Sequence, residues 1–287
     1  MDYPIQKLDS AAFPPLLNEI PEPPASLNFR GTLPTSDMKL LAVVGSRNYS
    51  TYGKQVVEYL IDGLRGYNIG IVSGLALGID SLAHRAALAS NLYTLAIPGG
   101  GLDDSVIYPR AHTRLAHEIL AAGGGLLSEF DPTFKATAWS FPQRNRIVTG
   151  ISSATLIIEA TERSGTLISA RLATDYNREL MVVPGNIFSQ NTAGCHQFLK
   201  LGAIPVTTPE DILETLQIAV DAPKAENATP KTLTAEEQAA MELLREPTDR
   251  DALIRALDIP THEASTLLMK MEMDGHIIEE NGIIRRT

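Results

Sequence analysis

The chain has 287 residues, 44% of them hydrophobic and 20% charged, with a formal net charge of −10. At ~100–200 residues per domain this suits one large unit with a smaller one, and the hydrophobic share excludes a largely disordered chain. The single cysteine, Cys195, excludes an internal disulfide and a multi-cysteine metal site, and suits a reducing compartment.

The first residues, Met1-Asp2-Tyr3-Pro4, have neither the basic flank nor the apolar stretch of a signal peptide. Apolar runs such as 40–44 are too short to span a bilayer. A cytoplasmic protein without membrane contact is therefore expected. The acidic total counts against a non-specific nucleic-acid binder, although binding depends on local charge.

Residues 1–38 are rich in proline, and Pro14-Pro15 and Pro23-Pro24 forbid a long helix. They are expected to form an N-terminal arm, extended or of short turns, lying on the main domain. Residues 39–220 alternate apolar runs (40–44, 69–72, 93–97, 125–129, 154–158, 179–183 and 203–206) with helix-like segments (54–65, 81–89, 110–121, 165–177 and 209–216). Near-continuous apolar runs suit strands buried on both faces, so a doubly wound α/β domain with a mostly parallel sheet is predicted.

Residues 221–232 are polar, carry two prolines and predict a linker. Residues 233–287 predict helices over 234–245, 249–257 and 261–273, the first opened by a Thr234/Glu237 capping box. Strands over 276–280 and 283–286 flank the turn pair Asn281-Gly282. This pattern resembles a winged helix-turn-helix. Residues 221–287 hold 14 acidic and 8 basic side chains, a net of −6, so protein interaction or packing is expected of this module rather than duplex binding.

In an open parallel sheet, ligands bind beyond the carboxyl ends of the strands. After the first run, Gly45, Ser46 and Arg47 combine a tight turn, a helix start that favours anions and a planar cation suited to phosphate; a plain turn with a solvated arginine is the alternative. Ser73, Asp80 and His84 follow the second run. A hydrolase triad is conceivable there, but no G-x-S-x-G elbow is present and Asp80 equally suits a helix cap. Pro98-Gly99-Gly100-Gly101 offers bare backbone to a ligand, or is only a crossover loop.

The stretch KATAWSFPQRNR (135–146) interleaves Lys135, Arg144, Asn145 and Arg146 with Trp139 and Phe141, which suits single strands whose bases stack on rings. From 135 to 178 there are six basic and three acidic residues, +3 within an acidic chain. The alternative is that the rings are core and the arginines pair with Glu129 or Glu159. Ser164, Gly165 and Thr166 open a later helix and either hold a phosphate or only cap it. Pro184-Gly185-Asn186 is expected on the same rim. No Walker A sequence and no metal-ligand spacing is found, so neither cofactor nor metal is expected.

Together GSRNYSTYG (45–53), SGLALGIDSLAH (73–84), FPQRNRIVTGIS (141–152), IIEATERSGTLISARLA (157–173) and VPGN (183–186) resemble the DNA-processing protein A (DprA/Smf) family. The C-terminal unit resembles the winged helix that ends many members. The resemblance implies an extended Rossmann-like domain that binds single-stranded DNA and loads the RecA recombinase, usually in natural transformation, as a homodimer through that domain and without enzymatic turnover. By motif position Ser46 and Arg47 are expected on backbone phosphate, Phe141 near a base, and Arg144, Asn145 and Arg146 around the same pocket. Lys135 is expected there from charge alone.

Three departures from the family pattern stand out. The loop before Tyr108-Pro109 is two residues longer, and Asn177 and His196 replace a usual glycine and asparagine. His196 is expected near a strand end. The rival reading is enzymatic: Pro98-Gly99-Gly100-Gly101 is similar to the P-G-G-x-G-T loop of phosphoribohydrolases that cleave nucleoside monophosphates. Here Leu102, Asp103 and Asp104 follow instead of the threonine and downstream glutamate. A nucleotide-sensing protein of the same superfold is the third reading.

Overall fold

The computed structural model describes residues 3–162, 164–219, 234–244, 246–273, 276–280 and 282–286. They belong to two compact units, Met1–Val220 and Asp221–Thr287.

The first unit opens with β1 (Gln6–Asp9), two 3-10 turns (Ser10–Ala12 and Pro15–Glu19) and β2 (Ser26–Gly31). Alternation follows: β3 (Lys39–Val44), α1 (Thr51–Asp62), β4 (Ile69–Ser73), α2 (Ile79–Ala89) and β5 (Tyr93–Ala96). After a 3-10 turn at Arg110–His112 come α3 (Thr113–Ala121), β6 (Gly125–Ser128), α4 (Ser140–Gly150) and β7 (Ala154–Ile157). The unit ends with α5 (Thr166–Asp175), β8 (Glu179–Val182), α6 (Ala193–Lys200), β9 (Ile204–Pro205) and α7 (Pro209–Thr215).

Nine strands form one sheet in the order β1-β2-β6-β5-β4-β3-β7-β8-β9. The seven from β6 to β9 are parallel, and β2 pairs antiparallel with both β1 and β6. β3 carries β4 on one side and β7 on the other, so the order reverses there. A cleft is expected beyond the carboxyl ends of β3 and β7.

The alternating side chains of β3 explain why its run is apolar throughout. Leu40, Ala42 and Val44 enter one core layer with Ile147, Val148 and Ile151 of the α4 region. Leu41 and Val43 enter the opposite layer with Val57, Leu60 and Ile61 of α1 and Ala83 of α2.

The proline-rich segment is built into the domain. It supplies β1 and β2 to the main sheet, and Leu8, Phe13, Leu17, Ile20 and Leu27 enter the same core layer as Leu40. Its prolines lie outside these strands, where they remove no ladder donor. Two helices were also not predicted, α4 and α6. In α4, Pro142 sits in the first turn, where its missing N–H leaves no intrahelical bond unmade.

The second unit contains α8 (Ala235–Leu243), β10 (Thr248–Asp249), α9 (Arg250–Ala256), α10 (Thr261–Met273), β11 (Ile277–Glu280) and β12 (Ile283–Arg286). Its sheet runs β10-β12-β11, with both pairings antiparallel. The Thr234/Glu237 capping box is formed, and Lys270 reaches the same Glu237 carboxylate at 2.9 Å. Ala240, Leu253, Leu268, Met271, Ile277 and Ile284 make a separate small core. Three helices and a three-stranded sheet in this order form a winged helix. The expected linker over 221–232, and Asn281 of the expected turn, lie outside the described residues.

Candidate functional site

A cavity of about 770 Å³ opens beyond the carboxyl ends of β3 and β7. Gly45, Ser46, Arg47, Phe141, Arg144, Asn145, Ser164, Gly165 and Thr166 all line it. Lys135 and Arg146 do not.

The turn after β3 is shaped from within. Ser46 Oγ donates to the Asn48 carbonyl at 3.0 Å and accepts the Asn48 N–H at 3.1 Å. The Ser46 N–H donates to the Glu159 carbonyl, and the Ser46 carbonyl accepts the Ile79 N–H. Gly78, at φ +85°, presses against this turn, and a Cβ there would stand 2.3 Å from the Ser46 carbonyl oxygen and 2.5 Å from Arg47 Cα. The result is an exposed Arg47 whose guanidinium carbon lies 5.3 Å from the centre of the Phe141 ring.

The N-terminus of α1 differs from the expected anion site. Ser50 caps it by accepting the Gly53 N–H, and the buried Glu159 carboxylate accepts from the Ser50 N–H at 2.9 Å and its hydroxyl at 2.5 Å. Gly53 leaves room for that carboxylate, since a Cβ would meet it at 2.5 Å. A carboxylate already holds the positive end of this helix. The first turn of α5 is satisfied by its own segment, the Leu167 and Ile168 N–H groups donating to the Ser164 and Gly165 carbonyls at 3.1 Å, while Gly165 faces free space. Ser164 Oγ bonds the Thr166 N–H and hydroxyl, and nothing lies within 4 Å of a Cβ built on Gly165.

Arg144 forms the floor of the cavity. It is only 4% exposed, and Nη1 donates to the Ile97 carbonyl at 2.6 Å. Beside it Asp80 accepts the Gly74 and Ala76 N–H groups at 3.1 and 3.4 Å. Burial raises the Asp80 carboxyl pKa against the opposing pull of the Arg144 charge, and burial lowers that of the guanidinium. The floor thus holds a buried cation and a buried carboxyl that act on each other's charge, while Arg47 is the exposed cation at the rim.

Other sequence expectations change. Arg146 is bound to Glu129 at 2.5 Å and to the Glu22 carbonyl at 2.6 Å, which is the pairing alternative. Arg178 likewise pairs with Glu19 at 3.1 Å, and Arg163 lies outside the described residues. The positive stretch therefore delivers Arg144 to the cavity, and Lys135 stays exposed in the preceding loop. Trp139 is exposed but packs on Phe130 and Phe134, at 5.8 and 5.7 Å between ring centres.

The triad is not formed. Ser73 donates to the Val43 carbonyl at 2.6 Å, and buried His84 meets Thr94 Oγ1 at 2.7 Å. The glycines at 99–101 are filled by the protein itself. A Cβ would strike Phe141 from Gly99 at 2.5 Å, the Phe134 carbonyl from Gly100 at 3.0 Å and the Pro132 carbonyl from Gly101 at 2.2 Å.

In the longer loop, Asp104 pairs with Arg30 at 2.6 Å. Asn177 takes φ +53°, the left-handed backbone for which glycine is the usual residue. His196 lies in α6 rather than at a strand end, with Nε2 3.1 Å from the Gly185 carbonyl. Among the described residues, no group of three or more His, Cys, Asp or Glu stands where it could hold a metal, and no helix is long and apolar enough to cross a membrane.

Four further residues border the site that the sequence reading did not assign to it. Asn48, Gln190 and Asn191 line the cavity, and exposed Tyr108 lies 5.8 Å from Phe141 between ring centres. Tyr108, Leu77, Pro109, Arg47 and Phe141 also border a side cleft of about 30 Å³. Only the Pro184-Gly185-Asn186 turn pointed toward Gln190 and Asn191.

Residues 5–217 match the family described as DNA recombination-mediator protein A, and residues 223–282 match the DprA winged helix domain. The chain belongs to the DNA recombination-mediator protein A family. Among its relatives, Protein Smf of Escherichia coli is 39% identical over 94% of this chain and 73% of its own length. DNA processing protein DprA of Bacillus subtilis is 37% identical over 73% of this chain and 70% of its own. Two solved members of the DNA recombination-mediator protein A family superpose on 75% of the chain. DprA from Streptococcus pneumoniae does so with TM-score 0.68, 36% identity and 74% of its own chain covered. DNA processing protein A from Helicobacter pylori, described for its single-stranded DNA binding mode, does so with TM-score 0.67, 30% identity and 96% covered.

Proposed function

We propose that the cavity binds single-stranded DNA and that the protein protects incoming strands and loads RecA onto them, as in natural transformation. It does so as a homodimer joined through the Met1–Val220 unit and without catalytic turnover, in the cytoplasm. The observation that carries this reading is the rim cation Arg47 over the Phe141 ring, with free space beside Gly165 at the start of α5. A cation beside an aromatic face suits a phosphate next to a stacked base, and the helix start suits a second phosphate. Ser46 acts by shaping the turn, Gly45, Asn145, Ser164, Gly165 and Thr166 by lining the phosphate path, and Arg144 by holding the floor. Lys135 adds charge at the approach, and Arg146 orders α4 through Glu129.

The test is fluorescence anisotropy of a labelled oligothymidine against a duplex of equal length. Tight single-strand binding that weakens with salt is expected, because phosphate contacts release counterions. Equal affinity for duplex, a flat salt response or displacement by a nucleoside monophosphate contradicts the reading. The mediator step is read by RecA filament formation on strands precoated with single-strand binding protein, and dimerisation by light scattering.

A further inference from the structure

A second feature stands beside the cavity, in the loop between β8 and α6. Its backbone is fixed by its own polar groups. The Phe188 N–H donates to Asn186 Oδ1 at 2.9 Å, the Ser189 N–H to the Asn186 carbonyl at 3.0 Å, and Thr192 Oγ1 to that same carbonyl at 2.5 Å. It is tied to the cavity walls as well. Asn191 Nδ2 donates to the Asn48 carbonyl in the turn that carries Arg47, and the Asn191 carbonyl accepts the Ala160 N–H beyond β7.

This ordered loop nevertheless holds Ile187 75% exposed and Phe188 89% exposed. Two residues further on, Gln190 and Asn191 line the cavity. Of the ten exposed large apolar side chains among the described residues of this unit, all but Tyr59 and Leu201 lie at the carboxyl-end rim, in its loops or first helical turns. Charge points to the class of partner. No Asp or Glu occurs between Glu179 and Glu210, although the chain carries 34 acidic residues. A polyanion can lie along this stretch without like-charge repulsion.

Building on the single-strand reading of the cavity, we propose that the strand leaves the cavity over this loop and that Phe188 stacks on one of its bases. A rigid loop presents the ring without an ordering cost at the moment of binding, and every base has a face to stack on. A protein interface would require some 800 Å² of complementary surface per partner, whereas one exposed ring suffices to stack on a base.

The experiment measures binding of labelled oligothymidine, and of an abasic strand of equal length, by wild type, Phe188→Ala and Phe188→Trp across a salt series. Phe188→Ala is expected to weaken oligothymidine binding about tenfold, the range of one stacked base. It should leave the salt slope and the abasic strand unaffected, and Phe188→Trp should retain wild-type affinity. Because the ring is exposed, equal unfolding temperatures are expected for all three. Unchanged oligothymidine binding by Phe188→Ala overturns the proposal, as does equal weakening on the abasic strand. A change of molar mass on light scattering overturns it in favour of contact between two copies. Failure of the wild type to bind oligothymidine sinks the cavity reading itself, whereas wild-type binding with an indifferent Phe188→Ala sinks only the stacking role.

Discussion

The Arg144 guanidinium occupies the space beside Gly74 that any side chain there would need. A Cβ at residue 74 would lie 1.6 Å from Arg144 Nη1 and 2.3 Å from its guanidinium carbon. The glycine at the end of β4 and the arginine in α4 are thus two halves of one fitted contact.

Gly74→Ala forces Arg144 off the Ile97 carbonyl or displaces the β4 turn. Overpacking of this kind costs about 1–3 kcal/mol. A lowered unfolding temperature together with weaker oligothymidine binding is expected. A variant with wild-type values of both would show that the floor rearranges freely.

Gly78→Ala acts on the other wall. Positive φ disfavours a side chain, and the added methyl collides with the Ser46–Arg47 backbone. Its loss of single-strand affinity should approach that of Arg47→Ala. The anisotropy titrations that compare the two also read the salt slope, expected to fall by about one when the Arg47 phosphate contact is removed.

Arg146→Ala separates structure from binding. Arg146 and Glu129 are both largely shielded, so removing the cation leaves a poorly solvated carboxylate. A stability loss of about 2–3 kcal/mol by urea unfolding is expected, discounted for partial exposure from the figure for a fully buried pair. The salt slope of the folded variant should match wild type. A slope lower by one would instead put Arg146 on phosphate.

His84 gives the unit an acid sensitivity. Burial pushes its imidazole pKa from 6.5 down to about 3, so the folded protein resists a proton that the unfolded chain accepts. Its share of stability is complete above pH 6.5 and is lost progressively as pH falls toward 3. Unfolding of wild type and His84→Gln at pH 7.5 and pH 5 isolates this share. The difference between the two proteins should shift in favour of the variant at the lower pH, and a pH-independent difference contradicts it.

Much of this architecture is legible in the chain itself. Each of the seven apolar runs lies on a strand, and in β3 to β7 burial on both faces leaves few polar positions to interrupt them. β1 and β2 carry no such run, since β1 is mostly exposed, β2 is mostly half-buried, and prolines dominate the segment around them. The cavity was legible where backbone and charge chemistry coincide, at Gly45–Arg47 and Phe141–Asn145. Which cation faces the cavity and which pairs internally was not, because Arg144 and Arg146 differ only in their side of α4. The Gly99–Gly101 run misled for a related reason. A glycine that admits a ligand and one that admits the protein's own backbone look alike until the partner segment is known.

The pairing of β2 with β6 also bears on how the molecule is made. Ser26–Gly31 leaves the ribosome early, yet the edge it joins is completed only when Gly125–Ser128 has followed. Until then the first hairpin has a ready strand edge and no neighbour, and its closure is a long-range step of the slow kind. The β1–β2 segment is thus synthesised before its partner but cannot dock until the parallel sheet has grown out to β6.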